Sequence, residues 1–182
     1  MKLHRVLALA LLALAIGAPA AGAVSIGLGA FGGLAEPILQ GTSTQGTQFG
    51  VRVPVDVVPM ITVEPYYAYS KLGDKDETFG GISYTRDGGK VSAFGANALF
   101  NFGGPGYKLF PFVGLGTHSL KREGLADESD VGYNFGLGLG FAPIPKLSVS
   151  LRGEFNMIGT GETSRKSANV TLGVAYTLFS VP

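Results

Sequence analysis

Between residues 131 and 157 the chain alternates strictly between large apolar residues and small or polar ones, on both sides of a short turn. In 131–141 the large positions are Val, Tyr, Phe and Leu, and the positions between them are glycine apart from Asn134. In 147–157 the apolar positions alternate with Ser, Arg, Glu and Asn. A period of two predicts β-strands, and Pro143 and Pro145 predict a reversal between them, so this stretch is a predicted hairpin.

The small face of this hairpin indicates the environment of the strands. A soluble hairpin buries its large face and carries hydrated polar side chains on the other face. Here the second face consists mainly of glycine, with few charges. Large residues that face hydrocarbon and small residues that face a narrow lumen are typical of a transmembrane β-barrel.

The same alternation recurs along the chain and predicts an all-β fold, an eight-stranded antiparallel up-and-down transmembrane β-barrel. Strands of about 10 residues, tilted near 45°, span the apolar band of roughly 25 Å of an outer membrane. The predicted strands are 24–31, 49–57, 61–70, 91–102, 109–118, 131–141, 147–157 and 170–178. The predicted outer loops are 34–47, 71–90, 119–130 and 158–167.

Residues 79–86 are a ninth candidate strand, followed by the turn signal Asp87-Gly88-Gly89. Bacterial single-chain barrels have an even number of strands. We therefore assign 79–86 to a hairpin in an outer loop that stands above the membrane.

The N-terminus predicts a secretory signal peptide over residues 1–23. Lys2 and Arg5 precede an apolar run at 6–16 that is too short to span a bilayer as a helix, and small residues follow it. Cleavage is expected after Ala23 or after Ala20, which leaves 24–182 as one barrel domain.

Composition narrows the functional classes. Without Lys2 and Arg5, 12 of the 14 basic residues remain against 13 acidic ones, and no basic patch points to nucleic acid. His118 is the only histidine after the signal peptide and the chain has no cysteine, so neither a His cluster nor a thiolate site for metal is expected. The G-x-G-x-x-G pattern at 27–32 lies in a predicted strand rather than before a helix, so no cofactor is expected.

Aromatic residues test this topology, because rings gather at both membrane interfaces. Six fall near the outer strand ends: Phe49, Tyr67, Tyr69, Tyr133, Phe135 and Phe155. Four fall near the inner ends: Phe100, Phe102, Phe141 and Tyr176. The sequence thus predicts two aromatic girdles.

Three stretches, 110–116, 132–140 and 147–155, resemble the small outer-membrane β-barrel family around OmpA, OmpX and OmpW. The resemblance implies a protein of the Gram-negative cell envelope that is exported through the periplasm and inserted into the outer membrane by the barrel insertion machinery. It also implies a monomer surrounded by outer-membrane lipid and lipopolysaccharide. A surface ligand, if there is one, is expected at the outer loops.

The predicted lumen receives five charged residues: Arg52, Asp56, Glu64, Arg152 and Glu154. An eight-stranded barrel is just wide enough for side chains to fill it, so the charges must lie within reach of one another. We expect all but Asp56 to form an ion network that plugs the barrel. In the alternative, a narrow channel for small or hydrophobic solutes, an apolar route is lined by Phe31, Phe110 and Phe112.

The sequence favours a structural or surface-interaction role over two further classes. A lipid A-modifying barrel enzyme would need His118 and Ser119 together, but adjacent strand residues point to opposite faces, so no catalytic residue is expected. A soluble lipocalin-like carrier would turn its apolar face inward, and the glycines would then leave its core empty.

Overall fold

The computed structural model describes residues 24–38, 43–104, 106–122, 127–159 and 164–181; the predicted signal peptide lies outside them. These residues form twelve strands: β1 Val24–Ile38, β2 Thr44–Arg52, β3 Val55–Val58, β4 Ile61–Gly73, β5 Lys75–Phe79, β6 Ile82–Arg86, β7 Lys90–Phe100, β8 Phe102–Gly103, β9 Tyr107–Lys121, β10 Glu128–Ile144, β11 Leu147–Gly159 and β12 Ser164–Val181. No helical segment in the described part of the chain has the length and apolarity needed to cross a bilayer.

The wall is a closed antiparallel ring. Its order is β10, β11, β12, β1, β2, β4, β7 and β9, and β9 pairs back to β10. β3 continues the wall after β2, and β8 continues it after β7. Each wall strand has a neighbour on both sides, so the ladder leaves no edge inside the membrane. The predicted eight-stranded up-and-down barrel is confirmed.

The second wall strand is interrupted, where the sequence predicted one continuous strand over 49–57. Pro54 has no N–H to donate, so the ladder breaks between β2 and β3. The gap is bridged by backbone bonds from Val53 N–H to the Pro65 carbonyl, at 2.9 Å, and from Gly27 N–H to the Pro54 carbonyl, at 2.8 Å.

The strands run further outward than alternation predicted. β9 reaches Lys121 and β10 begins at Glu128, inside the predicted loop 119–130. β11 and β12 likewise stay paired as far as Gly159 opposite Ser164. Above the apolar band the outer face carries Lys71 and Lys121 while Leu72 and Leu120 are buried inside, so the alternation with apolar residues outward ends although the backbone ladder continues. The predicted loop boundaries were therefore too wide.

The ambiguous segment 79–86 belongs to a hairpin outside the wall, as assigned from the strand count, but the hairpin spans 75–86 and its turn is not the predicted Asp87-Gly88-Gly89. β5 and β6 pair only with each other, in a separate two-stranded sheet. Their turn is Gly80-Gly81, both with positive φ, which glycine adopts without strain. The Tyr84 hydroxyl donates to the Glu77 carboxylate across the hairpin at 2.9 Å.

Side-chain burial in the wall is inverted relative to a soluble protein. Leu137 and Leu172 are 51% and 60% exposed on the outer surface, whereas Arg52 and Glu64 are 3% and 1% exposed in the lumen. Hydrocarbon is the solvent for the outer face, so the buried polar residues mark the inside of the barrel.

Two phenylalanines fill the centre of the lumen because the adjacent strand carries glycine beside them. Phe110 and Phe112, on β9, are 2% and 1% exposed. A Cβ at Gly138 would lie 2.1 Å from the Phe110 ring, and one at Gly136 would lie 2.5 Å from the Phe112 ring. The bare face of β10 thus leaves room for rings from the neighbouring strand.

Deleting residues 75–86 should leave a barrel that still inserts, because β5 and β6 lie outside the ring and Lys75 is the cross-strand neighbour of Arg86, so the cut ends meet. The measurement is electrophoresis with and without boiling, in which a folded barrel migrates differently. Removing twelve residues from β11 serves as the control and should abolish the shift. Loss of the shift in the 75–86 deletion would contradict the assignment.

Substituting Gly138→Val should lower the free energy of unfolding by about 1–3 kcal/mol, because the new methyl groups overlap the Phe110 ring. Denaturant unfolding in lipid vesicles measures the change. The double variant Gly138→Val/Phe110→Ala should be less destabilised than the two single changes added together. Additive losses would mean that the ring and the glycine do not compete for the same space.

Candidate functional site

A buried ion pair crosses the lumen at the level of the two phenylalanines. Arg152 lies on β11 and Glu64 on β4, four positions apart in the ring of eight and hence on opposite walls. Arg152 Nη1 donates to Glu64 Oε1 at 2.6 Å, and Nη2 donates to Oε2 at 2.8 Å. The two parallel bonds are the bidentate geometry that suits guanidinium and carboxylate.

Arg52 reaches the same carboxylate from β2. Its Nε lies 3.9 Å from Glu64 Oε2, and its Nη2 donates to Ser150 Oγ on β11 at 2.9 Å. A Cβ at Gly173 would lie 1.9 Å from Arg52 Nη2, so this glycine leaves room for the guanidinium. Together, Arg52, Glu64 and Arg152 form what we call the charge layer.

Aromatic rings line the charge layer. The Arg152 guanidinium lies 4.9 Å from the Phe110 ring centroid and 5.6 Å from that of Phe112. Arg52 lies 5.4 Å from the Phe31 centroid. At these distances a cation is attracted to the face of a ring. The phenylalanines named for an apolar route therefore contact the charges directly.

Glu154 lies near the charge layer but bonds to different partners. Its carboxylate accepts from Asn156 at 2.9 Å, from Asn169 at 3.4 Å and from Asn134 at 3.5 Å. Among the described residues it has no ion-pair partner within 4.0 Å. Asn134 also donates to Asn97 Oδ1 at 2.7 Å, which ties this amide shell to β7.

Sequence reasoning missed the asparagines of this shell. Each occupies a lumen-facing position of its strand and is at most 5% exposed. The signal that could have identified them was an asparagine at an inward position, where this chain more often has glycine, serine or a charged residue. Their convergence on Glu154 depends on the pairing of strands, which alternation does not give.

Asp56 lies apart from the charge layer, near the periplasmic end of the wall on β3. It accepts hydrogen bonds from Thr62 Oγ1, at 2.5 Å, and from the Ser25 hydroxyl. Thr62 also accepts a hydrogen bond from Asn101 at 2.8 Å. These contacts place Asp56 in a hydroxyl cluster at the rim.

Cavities lie on both sides of the charge layer. The periplasmic cavity has a volume of about 490 Å³, and its lining includes Lys108 and Asp56 as well as the charge layer. The outer cavity has a volume of about 60 Å³ and is lined by Tyr66, His118 and Glu154, among others. The two cavities share no lining residue. Between them is a space of about 20 Å³ that touches both the charge layer and Glu154.

His118 and Ser119 point in opposite directions. His118 is 7% exposed and lies against Gly132 inside the lumen. The Ser119 hydroxyl is on the outer face and donates to Ser129 Oγ at 3.2 Å. The pair therefore cannot share a proton in this arrangement.

The aromatic residues singled out from the sequence lie on the outer surface of the wall. Phe49 and Tyr69 are cross-strand neighbours with ring centroids 5.1 Å apart, and Phe135 and Phe155 are 5.3 Å apart. The others are at least 40% exposed: Tyr67, Tyr133, Phe100, Phe102, Phe141 and Tyr176. Tyr107, at 72%, is exposed near the inner end and was not singled out.

The chain is similar to a number of solved structures, three of which follow. Neisserial surface protein A has a TM-score of 0.61 and 19% identity, over 86% of this chain and 99% of that one. A major outer membrane protein from Thermus thermophilus has a TM-score of 0.55 and 11% identity, over 85% of this chain and 99% of that one. The N-terminal β-barrel domain of Pseudomonas aeruginosa OprF has a TM-score of 0.53 and 13% identity, over 84% of this chain and 97% of that one.

No curated protein matches the sequence. The family described as outer membrane protein beta-barrel domain matches residues 6–177, which is most of the chain. With the closed ring and its apolar outer surface, this match establishes that the protein belongs to the outer membrane protein beta-barrel domain family and lies in the bacterial outer membrane.

Proposed function

We propose that the protein is a monomeric, non-enzymatic outer-membrane barrel with a structural or surface-interaction role, whose lumen is closed by the charge layer. The observation that carries the proposal is the bidentate Arg152–Glu64 pair, which joins opposite walls. A side chain that bridges the lumen leaves no continuous path beside it when the neighbouring space is filled by Phe110 and Phe112.

The arrangement of charge also favours a plug over a pore. Selective channels for ions are built with rings of one sign, whereas here one carboxylate lies between two guanidinium groups. The space of about 20 Å³ above the layer has room for about one water molecule. This lumen therefore holds opposite charges in direct contact rather than a route for a solute.

Removal of the pair from bulk water makes it sensitive to truncation. Arg152 and Glu64 are 7% and 1% exposed, and desolvation costs several kcal/mol for each ion. Their two hydrogen bonds and the contacts of Arg152 with the two rings offset that cost only while both partners are present. We expect the pair to fix the distance between β4 and β11 across the lumen.

A surface-interaction role is supported by the outer end of the barrel. The β5–β6 hairpin projects from the wall there, and the apolar Ile82 and Tyr84 on it are 72% and 45% exposed. Neisserial surface protein A, one of the similar structures, is named as a surface protein. Rigid strands that carry exposed loops are a common platform for binding, so a surface ligand would contact these loops.

The exposed rings fit two interfacial girdles that contact outer-membrane lipid and lipopolysaccharide. The paired rings Phe49–Tyr69 and Phe135–Phe155 lie toward the outer strand ends, and Phe141 and Tyr176 lie toward the inner ends. Rings at both ends of the apolar band would set the depth of the barrel in the membrane. The barrel insertion machinery is the expected partner during biogenesis.

In a planar lipid bilayer the purified wild-type protein should show no steady single-channel conductance. Arg152→Ala should open steady conductance events, because it removes the side chain that bridges the lumen. Lys146→Ala, in the periplasmic turn, changes the same amount of charge away from the layer and should stay closed. Steady conductance in the wild type would overturn the plug and favour the narrow-channel alternative.

Glu64→Gln should lower the free energy of unfolding by about 3–5 kcal/mol, because it leaves a buried guanidinium without its anion. Denaturant unfolding in vesicles measures this loss. The double variant Glu64→Gln/Arg152→Met should recover part of it, since it also removes the guanidinium that paired directly with Glu64, while Arg52 keeps its hydrogen bond to Ser150.

Glu154→Gln provides the matched control, because amide donors surround Glu154 and an amide oxygen can still accept from them. It should cost less than Glu64→Gln. An equal cost for the two substitutions would mean that the Arg152–Glu64 pair is not the dominant contact.

A further inference from the structure

Three lysines lie side by side on one rung of the barrel wall. Lys71 on β4 is the direct cross-strand neighbour of Lys90 on β7, and Lys90 is the neighbour of Lys121 on β9. Adjacent strands are about 4.8 Å apart, so the three side chains start within about 10 Å of one another. We call Lys71, Lys90 and Lys121 the lysine row.

The lysine row faces outward, just beyond the apolar band. All three residues are exposed and share the outward parity of their strands. On β4, Lys71 follows Tyr69 and Tyr67 on the same face, so it begins about 7 Å along the strand beyond Tyr69. That position corresponds to the headgroup layer of the outer leaflet when the tyrosines lie at the interface.

Within the described part of the chain, the lysine row has fewer anions beside it than it has positive charges. Like charges directly opposite each other on neighbouring strands are destabilising. Lys121 Nζ forms an ion pair with Asp127 at 2.9 Å, but both side chains are more than half exposed, so water screens the pair. Among the described residues, neither Lys71 nor Lys90 has an ion-pair partner within 4.0 Å.

The rung beneath the row is polar as well. Tyr69, Ser92 and Ser119 are neighbours on it, and all three point outward with partial exposure. On β10, the strand that pairs with β9, Ser129 lies opposite Ser119, and the outer face becomes apolar below it at Val131 and Tyr133. The sector formed by β4, β7 and β9 therefore brings hydroxyl groups down toward the membrane below its positive charges.

We infer that the lysine row, with the hydroxyl groups beneath it, is a binding site for the phosphate groups of lipopolysaccharide in the outer leaflet. An ammonium group is a compact donor that binds phosphate as a point charge. A phosphate between Lys71 and Lys90 would remove their mutual repulsion and satisfy both charges. The acyl chains of the same lipid would lie against the apolar wall below, so one molecule meets both parts of the surface. This site lies on the outer wall and does not depend on whether the lumen is closed.

The test compares two forms of lipid A, with two phosphates and with none, in titrations of the detergent-solubilised full-length protein followed by native mass spectrometry. Wild type should bind the phosphorylated lipid more tightly than the dephosphorylated one. Lys71→Gln/Lys90→Gln should lower the affinity for the phosphorylated lipid about tenfold and leave that for the dephosphorylated lipid unchanged. Lys71→Arg/Lys90→Arg, which keeps the charge, should retain most of the binding.

The matched control is Lys108→Gln/Lys146→Gln, which removes two charges near the periplasmic end and should bind like the wild type. Each variant is first checked for the heat-dependent gel shift, so that a misfolded barrel is not scored. Equal affinity of wild type and Lys71→Gln/Lys90→Gln for the phosphorylated lipid would overturn the inference. An equal loss of affinity in the Lys108→Gln/Lys146→Gln control would also overturn it. A wild-type protein that binds a soluble anionic polysaccharide but binds the two forms of lipid A equally well would overturn it too.

Discussion

The width of an eight-stranded ring is the constraint on which this structure depends. A ring of this size has an interior that side chains from opposite walls can span. Arg152 therefore contacts Glu64 directly, at 2.6 and 2.8 Å, from the far side of the barrel. The same narrowness requires glycines at Gly136, Gly138 and Gly173, because a Cβ there would overlap Phe112, Phe110 or Arg52. The glycine-rich inner face and the direct contact between buried charges thus both follow from the width of the ring.

Closure of the ring also explains how polar and apolar groups are sorted. The pairing of β1 with β12 gives the terminal strands partners along their length, so no ladder edge faces lipid. With the backbone satisfied, the outer face can be wholly apolar and the inner face can hold ions. Where the wall leaves the membrane this sorting ends: Lys71 and Lys121 point outward there, and Leu72 and Leu120 are buried inside.

The charged groups occupy three different environments. Glu64 is surrounded by cations and rings in the lumen, whereas Glu154, on the other side of a small cavity, is held by neutral amides. The lysine row lies on the outside, beside the headgroups. Burial makes the first environment the most sensitive to loss of a partner, since an uncompensated ion cannot be hydrated there. The exposed lysines instead depend on what the membrane supplies.

The sequence by itself determined the class of fold, because alternation is a local pattern. The chemistry of the two faces then distinguishes a barrel with lipid outside it from a soluble barrel with an apolar core. It also determined that the β5–β6 hairpin lies outside the ring, through the requirement for an even number of strands. Strand ends were underestimated, since backbone pairing persists where side chains no longer alternate, and Pro54 broke a strand whose side-chain pattern is continuous. Only the tertiary structure decided which inward residues meet: Arg152 and Glu64 come from opposite walls, and the lysine row exists only through the register of β4, β7 and β9. Alternation assigns each residue to the inner or the outer face. Which inward residues lie at the same level along the barrel axis depends on the relative shift of strands distant in sequence, and that shift is set when the ring closes.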